Sequence, residues 1–123
     1  MVLNEAILRW PVGGREIMAR QLDRLVELGD LANVSLRVLP FAAGLHRGIS
    51  AGPFVLLTFP LNGDGKPSEP PTVYVNGLTG ALYLDKPHEI GRYMAAFDGM
   101  WEVSLDDAAS RNLIHQAATE MRK

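Results

Sequence analysis

Three histidines, His46, His88 and His115, are the imidazoles of this chain that could ligate a metal or exchange a proton. No two of them stand four residues apart, and no His-Glu-x-x-His run occurs, so a zinc site is not expected. Cysteine is absent, which removes disulfides, thiolate metal sites, Fe–S clusters and cysteine nucleophiles together. Gly48-Ile49-Ser50-Ala51-Gly52 has the spacing of a serine nucleophile elbow. An elbow needs a strand before it and a helix after it, and here a strand is expected to follow. Ser50 is therefore read as a loop residue. Gly44, Gly48 and Gly52 match neither a P-loop nor a dinucleotide fingerprint. His46 and Arg47 in that loop could contact an anionic ligand. The structural alternative is a set of tight turns with two solvated basic side chains. Glu5 lies beside an apolar segment with Arg9 four residues on. It is either an acid–base group or half of an i,i+4 ion pair. Asp106 and Asp107 read as the acidic start of a helix. Tyr74 and Asn76 share one face of a strand by the period of two. With Trp10 and Tyr83 they could line a pocket that has an apolar body and a few polar tips. Sheet packing accounts for the tyrosines more simply.

The elements that would carry these residues follow from the apolar spacing. Asn4 to Arg9 fits one helical turn with Asn4 as its N-cap, interrupted by Pro11 and by Gly13-Gly14. Met18, Leu22, Leu25 and Val26 recur at helical spacing over Arg15 to Gly29, and Gly29 reads as the stop. Val34, Leu36 and Val38 alternate with polar residues as in a half-buried strand ended by Pro40. Phe54 to Phe59, an almost unbroken apolar run between two prolines, is expected to be a central strand. Leu61 to Pro71 is read as a mobile surface loop, and it lacks the closing Glu of a calcium loop. Thr72 to Asn76 and Ala81 to Leu84 are short strands joined by a hairpin at Gly77-Leu78-Thr79-Gly80. Pro87 opens a helix whose stripe is Ile90, Tyr93, Met94, Phe97 and Trp101. Ser104 and Asp107 resemble a capping box before a last helix, with Leu113, Ile114, Ala117 and Met121 inward. The expected fold is α+β: a mostly antiparallel four-stranded sheet with helices on one face and two C-terminal helices.

The chain has 123 residues, with Lys+Arg 12 against Asp+Glu 14 and 47% hydrophobic residues. That length predicts one domain over residues 1–123, and the composition excludes a disordered chain. A net charge of −2 gives no general drive toward nucleic acid. No secretory n-region and h-region is found, and no apolar run reaches the roughly 18 residues of a membrane span. A cytoplasmic location is expected.

The order and spacing of several motifs carry a family resemblance over nearly the whole chain. They are Leu3-Asn4-Glu5-Ala6-Ile7-Leu8-Arg9 with Pro11-Val12-Gly13-Gly14, and Asn33 through Phe41 with Ala43-Gly44-Leu45-His46 and Gly52-Pro53-Phe54. Val73-Tyr74-Val75 and Gly80-Ala81-Leu82-Tyr83-Leu84-Asp85 complete the set. The chain resembles the effector or partner domain of actinobacterial, antitoxin-like Xre helix-turn-helix regulators of the Scr type, long known as a domain of unknown function. The resemblance implies a part that senses a ligand or binds a small protein encoded nearby, with no cofactor and no established enzymatic activity. The helix-turn-helix of such regulators is absent, so DNA binding is not carried over. Asn76 stands where the family often has Glu after Tyr-Val.

The leading expectation is thus a non-enzymatic ligand-sensing or protein-interaction domain of a transcriptional regulator. Its ligand or partner would meet Glu5, Trp10, His46, Arg47, Tyr74, Asn76 and Tyr83. One alternative is a stand-alone, cofactor-free cyclase or isomerase using Glu5, His46 and Tyr74. The other is a homo-oligomeric assembly domain, for instance a homodimer.

Overall fold

The computed structural model describes residues 1–44 and 51–123. In chain order its elements are β1 (Val2–Asn4), α1 (Glu5–Arg9), α2 (Arg15–Gly29), β2 (Arg37–Leu39), β3 (Val55–Leu57), β4 (Thr72–Gly77), β5 (Gly80–Leu84), α3 (Pro87–Val103) and α4 (Asp107–Met121). The chain divides into two compact units, one of Met1–Gly44 with Trp101–Lys123 and the other of Leu45–Met100.

In the first unit β1 and β2 pair in parallel, with Val2 opposite Arg37 and Asn4 opposite Leu39. Parallel neighbours need a crossover, and α1 with α2 supplies it. Asn4 caps α1, its Oδ1 accepting from the Ala6 amide at 2.9 Å. Gly13 and Gly14 then turn the chain with φ of 76° and 101°, a region closed to most side chains. Helices α2 and α4 are antiparallel. Arg15, at the start of α2, donates to the carbonyls of Glu120 at 2.6 Å and Met121 at 3.1 Å. At the other end Asp30 pairs with Arg111. The core between them is Leu8, Met18, Ala19, Leu22, Leu36, Val38, Ile114, Ala117, Ala118 and Met121.

The free edge of β2 is sealed by the chain entering α4. The Leu105 amide donates to the Val38 carbonyl at 2.9 Å. The hydroxyl of fully buried Ser110 accepts from the Val38 amide at 2.9 Å and donates to the Leu105 carbonyl at 3.2 Å. Buried backbone groups need such partners. The cap of α4 is Asp106, which accepts from the Ala109 amide at 2.8 Å, in place of the expected Ser104–Asp107 box. Ser104 instead donates to the Trp101 carbonyl. Asp107 accepts from Ser35 Oγ at 3.0 Å and Arg37 Nε at 3.1 Å, and the Arg37 guanidinium lies 3.9 Å over the Trp101 ring.

In the second unit β3, β4 and β5 form an antiparallel sheet in that order. Phe54, just before β3, meets Tyr93 of α3 edge to face with ring centroids 4.9 Å apart. Ile90, Ala96 and Met100 are the buried positions of α3. Asn62 to Gly65 make a tight turn, the Gly65 amide donating to the Asn62 carbonyl at 3.0 Å with φ of 81° at Gly65. Asn62–Lys66 and Ser68–Pro60 backbone bonds extend this into a small hairpin within the segment expected to be a mobile surface loop.

The fold is α+β and ends in two helices, but the expected single four-stranded sheet is not formed. The strand around Val38 does not join the later three. It pairs with Val2–Asn4, a segment whose three residues are too few to show a period. The run Phe54–Phe59 gives an edge strand, and β4 is the central one.

Candidate functional site

The antiparallel sheet sorts its side chains by register. Val55 lies opposite Tyr74, and Tyr74 opposite Tyr83; Leu57 lies opposite Thr72, and Asn76 opposite Ala81. Directly paired residues share a face and alternate residues change face. One face is therefore Val55, Leu57, Thr72, Tyr74, Asn76, Ala81 and Tyr83. The other is Leu56, Val73, Val75, Leu82 and Leu84.

The two faces differ in exposure. Val73, in the middle of the second, is fully buried, Leu56, Val75 and Leu84 are half-buried, and Leu82 of β5 is 61% exposed. On the first face Val55 is 49% exposed, Leu57 41% and Tyr83 69%. The Tyr74 and Tyr83 rings meet across the strands at a tilt of 55°, with centroids 5.2 Å apart. This face has no ionisable carboxylate or amine at any position, yet it meets solvent. A solvent face of an antiparallel sheet ordinarily carries polar residues, so the exposed Val55, Leu57 and Tyr83 make this face the candidate interaction surface.

Tyr74, Asn76 and Tyr83 are thus brought together by the structure. Val55 and Leu57 join them and were not among the candidates read from sequence. Glu5 and Trp10 bound α1 in the first unit. Trp10 is 59% exposed. Glu5 is 9% exposed and both of its carboxylate oxygens are engaged. Oε1 accepts from the Phe41 amide at 2.9 Å, and Oε2 accepts from Arg9 at 3.1 Å. Its geometry is that of a clip joining α1 to the chain after β2. His46, Arg47 and Ser50 lie outside the described residues. Among the described residues, no group of three or more His, Asp or Glu side chains could hold a metal ion, and no helix is long and apolar enough to cross a membrane.

A family model for a domain of unknown function matches residues 1–116. The chain belongs to the DUF5753 family. The match takes in both units, so the open tyrosine face and the Glu5 clip lie within the DUF5753 domain. No curated protein and no solved structure matches the chain.

Proposed function

We propose that this DUF5753 domain is a non-enzymatic sensing and protein-interaction module of an actinobacterial, antitoxin-like transcriptional regulator, and that the open face of β3-β4-β5 receives its protein partner. The observation that carries this reading is the solvent exposure of Val55, Leu57 and Tyr83 around the Tyr74–Tyr83 ring contact. The partner is a single uncharged segment of a small protein, laid across the sheet. Two features of the face support that occupant. Three strands of this length cover on the order of 250 Å², whereas a stable pair of globular surfaces takes about 800 Å² from each side. The face also lacks formal charge, and burying an unpaired charge against it would be costly. Asn76 belongs to this face. A glutamate there, as the family resemblance implies for relatives, would add a carboxylate, so this chain is suited to a more neutral partner.

Photo-crosslinking in the native host tests the proposal. With Tyr83→p-benzoylphenylalanine the expected product is one covalent adduct with a small polypeptide, competed by the wild-type chain. A crosslink to a second copy of the chain supports the assembly reading instead. Absence of any adduct removes the face from the account.

A further inference from the structure

The first unit holds a cavity of about 210 Å³ between the end of α2 and the start of α4. Leu25, Val26, Leu36 and Ile114 form its apolar walls. Gly29 and Ala108, which carry little or no side chain, are also among its lining residues. Gly29 is the last residue of α2, and its φ is not positive. A Cβ built on it would stand 3.9 Å from Leu36 Cβ, an ordinary contact. Neither a positive φ nor crowding requires glycine at this position. Glycine here adds no side chain to the mouth of the cavity.

The charges at the mouth are already matched. Asp30 pairs with Arg111, and Asp107 accepts from Ser35 and Arg37. A charged ligand would have to break one of these pairs, whereas an uncharged one with a hydrogen-bonding group can add to them. The size falls between a cavity of about 150 Å³ that holds benzene and the smallest drug-sized pockets of about 300 Å³. We propose that this cavity binds a small uncharged molecule of about six to ten non-hydrogen atoms, with a compact apolar body against the half-buried Leu25 and Val26 and one polar group at the Asp30–Arg111 mouth.

Benzyl alcohol is a suitable probe, and amide NMR of the full chain reads its binding. The expected result is saturable shifts of the Gly29, Ala108 and Arg111 amides, with affinity at least about fivefold weaker in Ala108→Leu, whose side chain occupies the mouth. Gly29→Ala supplies a second variant that keeps the helix and is expected to weaken binding in the same direction. The proposal is overturned by non-saturable shifts, by shifts centred on other residues, or by equal affinity in both folded variants.

Discussion

Two polar residues at the residue scale hold backbone that the secondary structure leaves unpaired. Ser110 closes the edge of β2 by bonding the Val38 amide in a fully buried setting. Ser110→Ala leaves that N–H without a partner, and urea denaturation should show a loss of about 1–3 kcal/mol. A change within error would mean that the Val38 amide finds another acceptor. Glu5 is the second case. Glu5→Ala removes the acceptor of the Phe41 amide and the partner of Arg9, and should lower stability by about 1–3 kcal/mol. Binding at the β3-β4-β5 face should be unchanged in that variant at temperatures where it is folded, and weakened binding there would make Glu5 more than a clip. Sequence spacing gave the Glu5–Arg9 pair and the Asn4 cap directly, because both are local. It did not give the Glu5–Phe41 or Ser110–Val38 bonds, which join residues 36 and 72 positions apart. Nothing in an i,i+4 pattern reports such distant partners.

Elements were legible where their periodicity was long. The stripes of α2 and α4, the turn at Gly77–Gly80 and the two strands beside it all follow from spacing. Strand pairing was harder to read. Val2–Asn4 shows its role only through β2, and an exposed edge strand as apolar as Val55–Leu57 imitates a central one. The pairing of α2 with α4 has a testable lock. Arg15 satisfies two carbonyls at the end of α4, where intrahelical partners run out. Arg15→Ala should cost about 1–2 kcal/mol in chemical denaturation. Asp23→Ala, which breaks the half-exposed pair with Arg122 between the same helices, should cost less than about 0.5 kcal/mol. Equal losses would show that charge pairing, rather than carbonyl capping, sets this junction. Gly29 gives the opposite sign. Gly29→Ala should raise the melting temperature slightly, by less than the about 1 kcal/mol that separates alanine from glycine inside a helix, because Gly29 is the last residue of α2. A lower melting temperature would mean that Leu36 cannot accept the added methyl.

For the whole molecule, the candidate site was half legible. The period of two placed Tyr74 and Asn76 together, and the hairpin turn placed Tyr83 across from them. Val55 and Leu57 were hidden, because an apolar run does not say which of its faces is left open. Membership in DUF5753 fixes the family of the chain, and the exposure of the tyrosine face supplies the functional argument. The measurement that tests that argument most directly is native mass spectrometry of the chain purified gently from its own host, beside the Tyr74→Ser/Tyr83→Ser double variant. The account predicts a small polypeptide retained by the wild type and lost from the folded variant, with the chain itself in one copy. A partner retained equally by both, or a homodimer that the double variant dissociates, would contradict it.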